Sequence, residues 1–316
     1  MRFPGGVGLG LALVSAATFG TSGAFAGSLL RAGWTPGSAV TLRVCLAAVV
    51  LTVPALLQLR GRTAQLRRSG GTLAAYGVAA VAGAQLCYFN AVEHLSVAVA
   101  LLLEYSAALL VVGWLWLRHG ARPHRLTGAG AVVAVAGLAL VLDLFGGAHL
   151  DLVGVLWGLG AAGGLTVYFL LSASPDDALP PLVVAWGGLA VGGVLLAAAG
   201  AVGVLPLAAP RTDVTLVGRQ VSWLVPVLGL SLIAAVVAYV TGILGARLLG
   251  AKVASFVGLT EVLFAVLFAW LLLGQGLTAT QLIGGLLVVA GIVLVRVDEL
   301  HGLAEPEPAA GVSGGL

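Results

Sequence analysis

The stretch GAVVAVAGL at residues 130–138 returns as GGLLVVAGI at residues 284–292, 154 residues further on. Each copy closes an apolar run near the end of one half of the 316-residue chain, so the sequence reads as a duplication. Working outward from the two copies, apolar runs fill nearly the whole chain, each of the ~20 residues that a helix needs to cross a hydrocarbon core ~30 Å thick. They fall at 6–29, 36–57, 72–92, 96–117 and 126–144, then at 152–172, 182–204, 222–246, 252–273 and 280–297. The narrowest division, Glu93-His94-Leu95, reads as a tight turn between antiparallel helices. Five crossings per half is an odd number, so the halves enter the membrane in opposite directions. The expected fold is an all-α integral membrane protein, with ten transmembrane helices as two inverted five-helix repeats over 6–144 and 152–297. Residues 298–316, with Glu305-Pro-Glu-Pro and terminal glycines, read as a disordered cytoplasmic tail.

Composition leads to the same class. The chain is 60% hydrophobic and 9% charged, with a mean hydropathy of +1.12, against roughly 25% charged in soluble domains. So few charges cannot cover the apolar surface in water, which excludes a soluble enzyme and a nucleic-acid-binding domain. The basic residues behind the net charge of +3 sit in short clusters between apolar blocks, where they set topology. With the N-terminus inside, Arg2, Arg60, Arg62, Arg67, Arg68, Arg118, Arg122, Arg125, Arg247, Lys252 and Arg296 are cytoplasmic, against Arg31, Arg211 and Arg219 on the other side. That bias predicts a multi-pass plasma-membrane protein with both termini in the cytoplasm. The first run, with Arg2 ahead and Ala24-Phe25-Ala26 near its end, imitates a signal peptide, but its length and its Gly, Ser and Thr content match the later spans. It reads as the first helix. Small-residue pairs such as Gly154/Gly158, Gly160/Gly164 and Gly188/Gly192 let helix backbones approach closely.

Ionisable groups deep in these spans are the candidate functional residues, because each costs several kcal/mol unless it faces a cavity or a partner. Arg43, Glu104 and Glu261 qualify. The segments 102–107 and 259–264 align at an offset of 157, which makes the two glutamates repeat mates, each about 12 Å deep at 1.5 Å per residue. Arg43 is positioned to pair with Glu104 or to hold a substrate carboxylate. Either carboxyl could exchange a proton during transport. Tyr88, Asn90, Tyr105, Tyr168 and Tyr239 supply further polar groups for a substrate site, with Gln85 one turn before Tyr88. Trp34, Trp116 and Trp223 near span ends read as interfacial anchors, and Cys45 and Cys87 as buried free thiols. No metal-ligand spacing and no Walker A sequence is present, so no cofactor is expected. The expected partners are a small-molecule substrate and membrane lipid, with protons as an open alternative.

The closing motifs Gly137-Leu-Ala-Leu-Val and Gly291-Ile-Val-Leu-Val, Arg43 early in the second span, and Leu259-Thr260-Glu261 followed by Leu271-Leu-Leu-Gly274 resemble the EamA family of the drug/metabolite transporter superfamily. The resemblance spans Gly8 to Val297 in the ten-helix form. Two positions depart from the family pattern: Val262 stands where a proline often follows the glutamate, and Gln275 where a glutamate often follows the final Leu-Gly. The resemblance implies a substrate pathway between two bundles and export of small metabolites, amino acids or drugs, with threonine and homoserine exporters as similar members. A lipid-modifying membrane enzyme and a non-transporting scaffold are the alternatives. The first needs a nucleophile–base pair or metal ligands near an interface, and Asp143, His149 and Asp151 lack such spacing.

Overall fold

A computed structural model describes residues 5–95, 97–120, 124–142, 151–173, 179–273 and 278–304. The first half comprises α1 (Gly6–Arg31), α2 (Pro36–Leu59), α3 (Gly70–His94), α4 (Val97–Arg118) and α5 (Arg125–Val141). The second half comprises α6 (Leu152–Ser172), α7 (Pro181–Ala201), α8 (Leu224–Gly258), α9 (Thr260–Leu273) and α10 (Ala279–Ala304). Eight of the described helices are long and apolar enough to cross a membrane; Arg125–Val141 and Thr260–Leu271 are shorter. In lipid a helix must satisfy its own backbone groups, so its ends carry local caps. The Thr35 hydroxyl accepts from Ser38 N at 3.3 Å ahead of Pro36, and Asp151 Oδ1 accepts from Val153 N at 2.7 Å.

The expected break between the eighth and ninth spans is present but takes another form. α8 continues through 35 residues, about 52 Å of helix and too long for one crossing. It is interrupted at Gly250, whose φ of 78° and ψ of 159° lie outside the helical region and suit a residue without Cβ. A second, milder kink follows at Leu259, and α4 has its counterpart at Ser106. At each kink a hydroxyl turns back on a carbonyl: Ser106 Oγ donates to Leu103 at 2.6 Å, and Thr260 Oγ1 to Val257 at 2.7 Å.

These features set the register between the halves. Wide π-type turns occupy Tyr76–Gly83 in α3 and Gly229–Val237 in α8, their first residues 153 apart, and the kinks at Ser106 and Leu259 are also 153 apart. That spacing lies within one residue of the 154 between the glycine motifs and corrects the offset of 157 expected around the glutamates. Glu104 precedes its kink by two residues, whereas Glu261 follows its own by two, so the two are not repeat mates.

The two glycine motifs pack against each other. A Cβ on Gly137 would lie 2.6 Å from the Gly284 carbonyl, and one on Gly284 would lie 2.6 Å from the Gly137 carbonyl. Gly130 and Gly291 repeat the reciprocal contact at 2.8 and 2.6 Å, so α5 and α10 cross antiparallel through equivalent positions. α6 meets Leu103 through Gly158 and Ala84 through Gly164. α1 joins the bundle against α8 and α9, with Gly8 on Leu248 and Gly20 on Phe264.

Two expectations need correction. Within the expected all-α class there is one short antiparallel hairpin, formed by β1 (Val214–Leu216) and β2 (Arg219–Val221) between α7 and α8. The segment before it is stapled to the α1–α2 turn, where Thr35 N donates to Ala208 O at 3.0 Å and Trp34 Nε1 to Pro210 O at 2.8 Å. Trp34 is therefore a buried structural residue, 4% exposed and 5.8 Å from the Trp223 ring, because its indole N–H finds a backbone acceptor inside the fold. Residues 298–304, assigned from sequence to the disordered tail, continue α10 as helix, since Asp298 is buried among partners on α5 and α8. Asp143, His149, Gly274, Gln275 and residues 305–316 lie outside the described residues.

Candidate functional site

A cavity of about 620 Å³ runs from the middle of the bundle toward the hairpin end, bounded by α1, α2, α3, α4, α6, α8 and α9. Its walls are mostly apolar and aromatic, and its polar groups are few and converge. Seven of the eight candidate residues line it: Arg43, Tyr88, Glu104, Tyr105, Tyr168, Tyr239 and Glu261. Gln85 lines it too. Asn90 does not. Its amide Nδ2 donates to the Leu86 carbonyl at 2.7 Å, one turn back on its own helix. Asn90→Leu is therefore expected to cost no more than about 1 kcal/mol, read as an unchanged thermal midpoint in detergent within a few degrees.

The expected Arg43–Glu104 pair is not formed. Arg43 Nη2 donates to the Ala234 carbonyl, the guanidinium carbon lies 5.5 Å over the Phe19 ring, and Nε is buried without a partner. A main-chain acceptor in the π-type turn of α8 and an aromatic face hold the cation in place of a carboxylate. Among the described residues, the ion pairs within 4.0 Å all belong to Asp298 and Glu299.

The cavity has two unlike walls. Arg43 lies over Phe19, and the next residue, Gly20, abuts Glu261 O and Phe264 Cβ, so Arg43 and Glu261 belong to the α1–α2–α9 side. Tyr105 of α4 lines the same cavity as Glu261. Glu104 stands on α4 beside Tyr88 of α3, with no donor from the described residues on its carboxyl. The floor is aromatic: Phe19 and Tyr239 have ring centroids 5.1 Å apart, Tyr239 and Tyr168 5.8 Å, and Tyr168 and Phe169 5.0 Å. Behind it, the fully buried Tyr76 shares a hydrogen bond of 3.2 Å with Ser172, and Arg247 Nη2 donates to Leu179 O at 2.9 Å.

Sequence reasoning missed Ser15, Phe19 and Phe89 on this lining. The aromatics sit in continuous apolar runs and carry no local mark that separates a cavity wall from a lipid-facing surface. Ser15 Oγ is tied to the Ala238 carbonyl at 2.8 Å, a contact between the two halves that only folding creates.

An apolar helical bundle with eight helices long enough to cross a membrane, and with charged groups on an internal cavity, defines a multi-pass membrane protein. The chain belongs to the EamA-like transporter family, whose model matches residues 6–143 and 152–297, one match per half. No curated protein matches it in sequence. Among solved structures, 29 chains match. A crystal structure 18% identical superposes with a TM-score of 0.72 over 92% of this chain and 97% of the other, a likeness of fold.

Proposed function

We propose that the protein is a secondary transporter that exports small metabolites, amino acids among them, across the plasma membrane by alternating access. In this reading there are ten crossings. They are the eight long helices, with α8 divided at Gly250 and its last turns joined to α9, and the shorter α5. The two halves are inverted copies, a reading supported by the reciprocal antiparallel contacts of Gly130 with Gly291 and Gly137 with Gly284. Two copies entering the membrane in opposite senses supply two nearly equivalent states, one open to each face. The observation that carries the function is one cavity holding a guanidinium with a free Nε and two carboxylates without a cation within pairing distance. Such groups are kept at membrane depth where a polar cargo meets them. Arg43 binds the carboxylate of the cargo, and a cavity carboxyl exchanges a proton for it.

Counterflow in proteoliposomes tests this reading. Vesicles loaded with unlabelled threonine or homoserine are expected to accumulate the labelled compound transiently, and a channel would not do so. Arg43→Leu is expected to raise the half-saturating concentration about tenfold or more, the worth of one hydrogen bond to a charged group. Labelled uptake without overshoot would sink the carrier mechanism, and an unchanged half-saturation would remove Arg43 from the site.

A further inference from the structure

Five hydroxyl side chains lie on α1, and four of them have an acceptor. Ser15 donates to the Ala238 carbonyl, and Thr18, Thr21 and Ser28 donate to carbonyls three or four residues back on their own helix. Ser22 is the exception: its Oγ is buried without a partner. The reason is local. The helix is interrupted at Thr21, and the Thr18 carbonyl, four residues before Ser22, already accepts from Thr21 N at 3.3 Å and from Thr21 Oγ1 at 2.6 Å. Both lone pairs of that acceptor are taken. A hydroxyl left unpaired inside a fold costs about 1–3 kcal/mol, so it marks a place where a partner is missing.

Ser22 lines the cavity one turn from Phe19, on the side of the hairpin end, and the Phe19 ring lies under the Arg43 guanidinium. Arg43 carries the second unpaired donor of this wall, since Nη2 is committed to the Ala234 carbonyl and Nε is buried without a partner. We infer that Ser22 determines specificity: its hydroxyl is the second donor, beside Arg43, to a carboxylate held on the α1–α2 wall. The inference rests on the reading of Arg43 given above and deepens it, by naming the anion that the cavity takes as a monocarboxylate. A carboxylate has two oxygens, and a guanidinium and a hydroxyl from neighbouring helices satisfy one each. Arg43 is the one cationic side chain among the lining residues, and Glu104 and Glu261 share the same cavity. Phosphate or a dicarboxylate would bring a second negative charge that no lining cation meets, and its desolvation would go uncompensated.

The test measures occupancy at Arg43 and no transport, so it succeeds or fails independently of the counterflow assay. Methylglyoxal, a small dicarbonyl, condenses with guanidinium groups, and the extent at Arg43 is read by peptide mass, with the exposed Arg60 as reference. Sodium acetate is expected to slow modification of the wild-type Arg43 relative to equal sodium chloride, and sodium phosphate is not. Ser22→Ala is expected to raise the half-protecting acetate concentration about fivefold, the worth of one neutral hydrogen bond, at an unchanged rate without acetate. Ser22→Thr keeps the hydroxyl and is expected to restore protection. Because the Ser22 hydroxyl has no partner in the fold, Ser22→Ala is also expected to hold the thermal midpoint in detergent, whereas a merely structural hydroxyl would lower it. An Arg43 that methylglyoxal does not reach, or that acetate does not protect, would overturn the carboxylate subsite even where counterflow succeeds. Equal protection in Ser22→Ala would remove Ser22 from it, and protection by phosphate equal to that by acetate would overturn the monocarboxylate class.

Discussion

Gly137→Leu is expected to disrupt the α5–α10 crossing and to lower the thermal midpoint of the detergent-solubilised protein by about 10 °C. The Cβ alone would stand 2.6 Å from both Gly284 O and Val288 N, and 2.8 Å from Leu287 Cβ. Two of those three atoms are main chain and cannot step aside as a side chain would. Overpacking of this kind costs about 3 kcal/mol or more, and a chain of this size loses a few degrees per kcal/mol. Gly128 on the same helix is the internal control. Nothing lies within 4 Å of a Cβ there, so Gly128→Leu is expected to hold the wild-type midpoint or exceed it slightly, by the helix preference of about 0.5–1 kcal/mol. Equal losses from both substitutions would mean that the close approach of α5 and α10 does not hold the halves together.

Asp298 is the second position with a large expected effect. Its carboxylate is 5% exposed, accepts from Thr127 Oγ1 at 2.5 Å, and lies 3.8 Å from both Lys252 Nζ and His124 Nδ1. It thereby joins the first turn of α5, the segment of α8 after Gly250 and the last turns of α10. Asp298→Ala strands the Thr127 hydroxyl, itself 1% exposed, and removes one of two partners from Lys252. The expected loss is about 2–3 kcal/mol, less than for a fully buried pair because Lys252 is 25% exposed and keeps Glu299 at 2.5 Å. Asp298→Asn keeps an acceptor for Thr127 and is expected to cost about half as much. Glu299→Ala removes a partly exposed pair and should cost under about 1 kcal/mol. Thermal unfolding of the three variants in one detergent gives the order; a loss from Glu299→Ala as large as that from Asp298→Ala would contradict it.

Much of the architecture was legible because lipid is a demanding solvent. It admits apolar helices of nearly fixed length, so the spans follow from run lengths and Gly130–Gly137 with Gly284–Gly291 mark the duplication. Arg43, Glu104 and Glu261 were legible as cavity residues for the same reason: ionised groups stand out where nearly every neighbour is apolar. Asn90 misled because polarity alone does not say which way a side chain turns, and its amide found a carbonyl one turn back on its own helix. Asp298 was assigned to a tail because it follows the last apolar run and leads into Glu305-Pro-Glu-Pro and the terminal glycines. The fold instead brings Thr127 and Lys252, from helices far away in sequence, onto its carboxylate.

The sequence by itself determined the class of protein, the helical solution and the family, since each follows from hydrophobic run length, repeat spacing and motif. Tertiary structure alone decided which aromatics floor the cavity, and that Arg43 rests on a carbonyl and a phenyl ring. The register between the halves also came only from the fold. The π-type turns and kinks are backbone events without a residue signature, and they shift Glu104 and Glu261 to opposite sides of equivalent kinks. Alignment pairs residues by identity, whereas the environment of a charge depends on what packs within a few ångströms of it, and that is settled by helix crossings between residues far apart in the chain.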